Sequence, residues 1–172
     1  MSRSLHAAVL LLLLAPTAGR AADPLAELGW LVGDWTADLA PPKGDPLTVN
    51  VSYSWAIHRK SFDYAIVFKT KDGEVAQYAG HFYWHPGAKE IRMLQIDRGG
   101  QVTEATLTAA GDGKWTQKNR LTRADGSTQE QRAELTRLGD DTFLFRAFVP
   151  KGDEWVEGLK VQYRRVKTPP KK

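Results

Sequence analysis

Cysteine is absent from the 172 residues of this chain, and methionine and histidine are scarce, with two and four copies. Without cysteine there is no disulfide framework, thiolate metal site or cysteine nucleophile. The sequence also lacks a Gly-x-Ser-x-Gly elbow, a Walker loop and a dinucleotide-binding fingerprint. No catalytic set is identifiable from spacing, no metal site is expected, and no cofactor is predicted.

Residues 1–21 have the features of a secretory signal peptide. Arg3 supplies the positive start, residues 7–15 form an apolar core, and residues 19–21 end on the small side chain that signal peptidase recognises. The apolar core is too short to persist as a membrane span. The sequence therefore predicts an exported, soluble protein of the periplasm or extracellular space, with no stable membrane insertion after cleavage.

The mature chain is expected to form one domain over residues 22–166, followed by a disordered basic tail at 167–172. Its length of about 150 residues is enough for an ordinary core. The formal net charge of +4 falls to +2 once Arg3 and Arg20 leave with the signal. Export and a nearly balanced charge make a nucleic-acid partner improbable. The oligomeric state does not follow from the sequence.

Most of the mature chain alternates apolar and polar residues with a period of two, as a half-buried strand does. Between Leu47 and Ile57 every odd position is apolar, and polar residues occupy positions 48, 50, 52 and 54. Turn signals such as Gly99-Gly100 and Asp125-Gly126 separate the successive segments. About ten strands with short connections leave no room for crossover helices. We therefore predict an all-β fold, a single antiparallel meander that closes into a barrel so that no long edge stays exposed.

A short helix is expected ahead of the first strand. Asp23 suits the N-cap, Pro24 suits the first helical position, and Gly33 ends the segment. Leucines at positions 25, 28 and 31 give the segment one apolar face.

The segment Leu28–Trp35 resembles the opening of lipocalin-like (calycin) barrels, in which a short helix leads into Gly-x-Trp on the first strand. The resemblance implies that Trp35 plugs one end of the barrel and that a basic residue of the last strand packs over its ring. Arg165 is the candidate because it shares the parity of Val161 and Tyr163, with Arg164 as the alternative.

The chain is more closely similar to exported bacterial families of unknown function with a Trp-Leu-Val-Gly-x-Trp opening, here residues 30–35. The further matching motifs are Phe82–Pro86, Asp97–Gly100 and Asp125-Gly126. These motifs are short and structural, so the resemblance implies a fold and no activity. Nitrobindin-like haem proteins share the Gly-x-Trp start, but they need a haem-ligating histidine late in the chain. The last histidine here is His85, which counts against haem.

His81 and His85 have a spacing that suggests a metal pair, but they lie on a predicted strand. Residues four apart on a strand are roughly 13 Å apart. One zinc ion, with ligands at about 2 Å, cannot bridge that distance. Both are expected to be surface histidines, on the face opposite Tyr78, Phe82 and Trp84.

Polar residues are expected inside the barrel as well as aromatic ones. The face of two neighbouring strands that carries leucine also carries glutamine and asparagine, and buried amides need hydrogen-bonding partners. The candidate cavity residues are Tyr53, Trp55, Tyr64, Tyr78, Trp84, Gln117, Asn119 and Gln131. Either these amides meet interior water or a ligand, or they lie at an open rim in bulk solvent.

Three functions remain open from the sequence. The first is a binding protein for a small hydrophobic or amphipathic ligand held in the barrel cavity. The second is an envelope interaction or structural protein whose barrel is filled by its own side chains. The third is an enzyme acting in the cavity, which would need a buried acid such as Asp97 or Glu104.

Overall fold

A computed structural model describes residues 23–40 and 44–167 of the chain. The predicted signal peptide, residues 1–21, lies outside the described residues, and so does the predicted tail after Lys167. Within the described part, no helix is both long enough and apolar enough to cross a membrane.

The described residues form ten antiparallel strands that close into a barrel in the order β1-β10-β9-β8-β7-β6-β5-β4-β3-β2. The predicted all-β meander is therefore confirmed. The strands are β1 (Gly33–Leu39), β2 (Leu47–Ala56), β3 (Ser61–Thr70), β4 (Gly73–His85), β5 (Glu90–Asp97), β6 (Val102–Ala109), β7 (Lys114–Thr122), β8 (Thr128–Arg137), β9 (Thr142–Lys151) and β10 (Glu154–Arg165).

The predicted N-terminal helix is present as a 3₁₀ helix, Pro24–Leu31. The Asp23 side chain accepts a hydrogen bond from the backbone N–H of Leu25 at 3.1 Å, which satisfies a free donor of the first turn. Three leucines of this helix are fully buried and join the barrel core. The helix therefore covers one end of the barrel, because its leucines pack into the barrel core.

The two ends of the barrel differ in what surrounds them. The closed end carries the 3₁₀ helix and the connections at residues 57–60, 86–89, 110–113 and 138–141. The open end carries the connections at residues 71–72, 98–101, 123–127 and 152–153, together with the described part of the β1–β2 connection. The position of a residue along its strand therefore sets its depth below the open end.

The seam between the first and last strands is short. Only Trp35 with Arg165 and Thr36 with Arg164 pair across it in the described residues. One further backbone hydrogen bond runs from Val166 to Asp34 at 2.8 Å. The remainder of β10, toward the open end, forms its ladder with β9 alone, and a register shift between Glu157 and Leu159 interrupts that ladder.

A strained turn joins β2 to β3 at the closed end. Ile57, His58 and Arg59 have φ values of 47°, 51° and 66°, which lie in the left-handed region. This conformation is a genuine outlier for a β-branched residue such as Ile57. The Ile57 side chain is 73% exposed, so its burial does not compensate for the strain.

Candidate functional site: the barrel cavity

Trp35 and Arg165 form the closed end of the barrel interior. Trp35 is fully buried, and its indole N–H donates to the carbonyl of Leu31 at 2.7 Å. The guanidinium of Arg165 lies 4.1 Å from the Trp35 ring centroid, a cation–π distance. These contacts join the last strand, the first strand and the 3₁₀ helix.

Arg165 also satisfies backbone carbonyls at the end of the 3₁₀ helix. It donates to Val32 at 2.6 Å and to Trp30 at 2.8 Å, and it donates to Asp140 of the β8–β9 connection at 3.1 Å. Gly33 makes this approach possible, because a Cβ there would lie 2.9 Å from a guanidinium nitrogen and the residue has a φ of +116°.

An aromatic stack above Trp35 forms the floor of the cavity. The Phe143 ring meets the Trp35 ring edge to face at 4.8 Å, and the Tyr163 ring stacks on Phe143 at 4.7 Å. Such pairs add to the stability that burial alone supplies. The floor is therefore a set of packed aromatic rings.

Above this floor the barrel encloses a cavity of about 340 Å³. That volume is within the range of small-molecule sites. Its wall is apolar on β1–β3 and on β9 and β10, apart from tyrosine hydroxyl groups, and carries amide and hydroxyl groups on β5–β8. The apolar wall includes Leu39, Val49, Val51, Ile66, Phe68, Phe143, Phe145, Leu159 and Val161, and the polar wall includes Gln95, Thr103, Gln117, Asn119 and Gln131.

Two amides of the polar wall are deeply buried. Gln117 is 5% exposed and Asn119 is 8% exposed, on alternate positions of β7. The Oδ1 atom of Asn119 is buried and has no hydrogen-bond partner among the described residues. An unpaired buried acceptor costs about 1–3 kcal/mol. Gln131 lies opposite Asn119 on β8 and is only partly buried.

A second polar contact lies on the β3–β5 side. The Tyr64 hydroxyl donates to Oε1 of Gln95 at 2.8 Å and lies 3.3 Å from the Met93 sulfur. Gly80 lies between these strands and leaves room for the ring. A Cβ on Gly80 would lie 2.4 Å from the Leu94 carbonyl oxygen and 2.7 Å from the Tyr64 hydroxyl.

Four tyrosines of the cavity have raised pKa values. Burial raises the pKa of Tyr64 and Tyr163 well above the usual value. Burial, followed by the proximity of Tyr163 and Tyr64, raises that of Tyr53. Burial, followed by the nearby Asp97 carboxylate, raises the pKa of Tyr78. All four therefore present neutral hydroxyl groups at neutral pH.

Six of the eight predicted cavity residues line this cavity, namely Tyr53, Tyr64, Tyr78, Gln117, Asn119 and Gln131. The other two, Trp55 and Trp84, are partly buried against the core and are not part of its wall. Trp55 packs edge to face on Phe62 at 4.9 Å, near the 3₁₀ helix. Trp84 lies close to the end of β4 at the closed end. The six share the face that alternation predicts as inward, and alternation carries no information about depth along the barrel.

Other cavity residues were not predicted. The apolar residues of β5 fall on both faces, so its pattern does not identify the inward side, and Gln95 went unnoticed. Thr103 was not identified either, because a threonine on a mixed strand carries no distinctive signal. Tyr163 has the parity of Val161 and Arg165 on the last strand, and its parity with Val161 is the signal that predicts an inward ring.

Neither acidic residue named for an enzyme is a free acid inside the cavity. Asp97 lines the wall near the open end, but its carboxylate accepts from the N–H groups of Gly99 and Gln101 and from the Gln101 amide, at 2.8–2.9 Å. These bonds build the β5–β6 turn. Glu104 lies on the outer face of β6, at the ladder position opposite Arg120 of β7.

The described residues of the cavity wall do not fit a haem held through imidazole or thiolate, because they include neither histidine nor cysteine. His81 lies on the outer face of β4, with its ring 5.8 Å from the Tyr83 ring. His85 accepts a hydrogen bond from the backbone of Ala88 at 3.0 Å. No group of three or more potential metal ligands occurs in the described residues.

A larger groove, of about 760 Å³, lies on the outer surface of β3–β7. It is lined by charged side chains of both signs, among them Asp63, Arg92, Glu104 and Arg120. Such a surface is typical of a solvated sheet face with weak cross-strand ion pairs. The enclosed cavity is therefore the stronger candidate for a site.

The fold and cavity together define a closed, lipocalin-like β-barrel. Among solved structures, the chain is similar to Rv2717c from M. tuberculosis, with a TM-score of 0.55 and 16% sequence identity. The match covers 83% of this chain and 97% of that one. At this identity the similarity shows the fold alone. No protein-family model matches the chain. No curated protein is significantly similar to it.

Proposed function

We propose that this protein binds a small, uncharged, partly apolar molecule in the barrel cavity. The observation that carries the proposal is the buried Oδ1 atom of Asn119, which has no partner in the described part of the chain. Rotation about the terminal torsion of an asparagine is soft, so the amide is able to turn toward a bound molecule.

The chemistry of the wall supports an uncharged ligand. Among the described residues of the cavity wall there is no lysine, arginine or histidine, and the only carboxylate there, that of Asp97, is engaged in the β5–β6 turn. A charged ligand would therefore lose its hydration without gaining a free counter-ion. Amide and hydroxyl groups are suited to carbonyl, hydroxyl or amide groups of a neutral ligand, and the aromatic and aliphatic wall supplies most of the affinity.

The primary test is native mass spectrometry of the protein purified from cells that express the full-length chain, followed by organic extraction. A recurrent small molecule at stoichiometric level would support the proposal and identify its chemical class. If the mass is that of the bare chain, and stays so after incubation with neutral lipids and small amides, the binding function is wrong. A barrel that acts through its surface would then be the better account.

A pair of variants sharpens the test. Asn119→Leu removes the unpartnered acceptor at similar volume, so it should stabilise the fold by about 1 kcal/mol while weakening ligand binding at least tenfold. Asn50→Leu makes the same change at an amide that accepts a hydrogen bond from Thr36. This control should lower stability and leave ligand affinity unchanged. Equal affinity in both variants would contradict the role given to Asn119.

We also propose that the chain is exported, on the strength of the signal sequence at residues 1–21. N-terminal sequencing of the mature protein should begin directly after Ala21. A protein that retains Met1–Ala21 and stays in the cytoplasm would overturn this part of the proposal.

A further inference from the structure

We infer that the cavity takes an elongated ligand, with a neutral polar head against β5–β8 and a straight apolar chain that leaves through the seam between β1 and β10. This inference rests on the proposed binding function and adds the shape and route of the ligand. It is carried by the short seam, by the residues on either side of it, and by an exposed apolar row beyond it.

The seam is incomplete toward the open end. In the described residues, β1 pairs with β10 at Trp35 and Thr36 only, although β1 continues to Leu39 and β10 begins at Glu154. An exposed ion pair bridges part of the remaining distance, with Arg164 and Asp38 separated by 3.3 Å. Exposed ion pairs of this kind contribute little stability. The wall is therefore weakest along this line.

The cavity reaches the seam from within. Leu39 on β1 and Leu159, Val161 and Tyr163 on β10 all belong to its wall. Leu159 is nevertheless 42% exposed whereas Val161 is 2% exposed, so Leu159 lies at the outer margin of the cavity. A chain placed beside Leu159 would therefore lie partly inside the barrel and partly outside it.

An apolar row continues from this point along the β9–β10 hairpin. Val149 and Val156 are paired across the hairpin and are 37% and 39% exposed. Val149 has the parity of Phe143, which is buried in the barrel, so the row is the continuation of the inner face. The β8–β9 ladder ends at the pair Arg132 and Phe148 although β8 begins at Thr128, so the end of the hairpin is not paired with β8.

The polar wall faces this exit. In the ring order of the strands, the seam between β1 and β10 is opposite β5 and β6. Gln95, Thr103 and Asn119 lie on that far side, on β5, β6 and β7. A ligand that crosses the barrel with its head on these groups directs its other end to the seam. This arrangement matches the polarity of an amphipathic chain molecule from end to end.

The test measures binding of straight-chain primary amides, from butanamide through octanamide to dodecanamide, to the mature protein by isothermal titration calorimetry. Each methylene that becomes buried should raise affinity about fourfold, and the gain should continue to the longest amide. Leu159→Gln should weaken dodecanamide binding about tenfold, and it should weaken butanamide binding much less because a short amide held by the polar wall does not reach the seam. Leu138→Gln is the matched control, because Leu138 is 53% exposed and lies at the closed end.

The outcomes separate the two proposals. If no amide of any length binds, the proposed binding function itself is wrong. If butanamide binds but affinity stops rising at intermediate length, and both leucine variants bind like the original chain, the cavity is compact and the exit is refuted. A second copy of the chain on the exposed row is the other alternative. Light scattering would then show a dimer that Leu159→Gln dissociates without changing amide affinity, and this result would also overturn the inference.

Discussion

The guanidinium of Arg165 lies 4.1 Å from the centre of the Trp35 ring and closes one end of the barrel. The same side chain donates to three backbone carbonyls, so it joins the last strand to the 3₁₀ helix and to the β8–β9 connection. It contributes both an aromatic contact and hydrogen bonds to these carbonyls.

Arg165→Met should lower the free energy of unfolding by about 3 kcal/mol, because it removes the cation–π contact and the hydrogen bonds to the carbonyls of Trp30 and Val32. The measurement is urea unfolding followed by circular dichroism. Arg164→Met is the control. Its ion pair with Asp38 is exposed on both sides, so a loss below about 1 kcal/mol is expected. Equal losses in the two variants would refute the anchoring role.

Gly80→Ala should destabilise the barrel by about 2 kcal/mol, because the new methyl group would overlap the Leu94 carbonyl oxygen and the Tyr64 hydroxyl. Thermal unfolding checks this prediction. At Gly139 nothing lies within 4 Å of an added Cβ. Gly139→Ala should therefore lower the free energy of unfolding by less than about 0.5 kcal/mol. A Gly80→Ala variant as stable as Gly139→Ala would disprove the crowding.

Stability should fall at high pH because burial raises the pKa of Tyr53, Tyr64 and Tyr163 in the folded state. Their contribution is fully present below the unfolded-state pKa of about 10 and is lost as the pH rises from there through the higher folded-state pKa values. Unfolding free energies measured from pH 8 to pH 12 should therefore be constant at first and then decline. Tyr53→Phe should reduce the decline, and an unchanged profile would contradict this origin.

Ile57→Asn should stabilise the protein by about 1 kcal/mol, because asparagine tolerates the left-handed conformation that the β-branched side chain resists. Ile96→Asn is the contrasting change, at an exposed isoleucine in a regular strand, and it should destabilise. Chemical unfolding of the two variants side by side is the measurement. A loss of stability at position 57 would mean that its neighbours compensate for the strain.

The sequence predicted the fold class and the strand number because period-two alternation and turn chemistry are local properties. It also identified most of the inward aromatic and amide residues, since alternation assigns a face. Trp55 and Trp84 were misplaced because alternation does not report depth along the barrel, which depends on how far the 3₁₀ helix closes the end. Gln95 was missed because β5 carries apolar residues on both faces.

The strained turn and the incomplete seam were beyond prediction for a different reason. The left-handed conformation of Ile57 contradicts its intrinsic preference and is imposed by the strands that it joins. The extent of pairing between β1 and β10 depends on how ten strands close, and no local pattern encodes it.

The two-pair ladder between β1 and β10 affects the order in which the barrel folds. Every other strand pair in the ring is joined by a direct connection along the chain, so those ladders form from local encounters. The β1–β10 pair joins the two ends of the domain and carries the largest loop-closure entropy. Closure of the barrel is therefore its last and most reversible step, and amide hydrogen exchange should be fastest along this line of the wall.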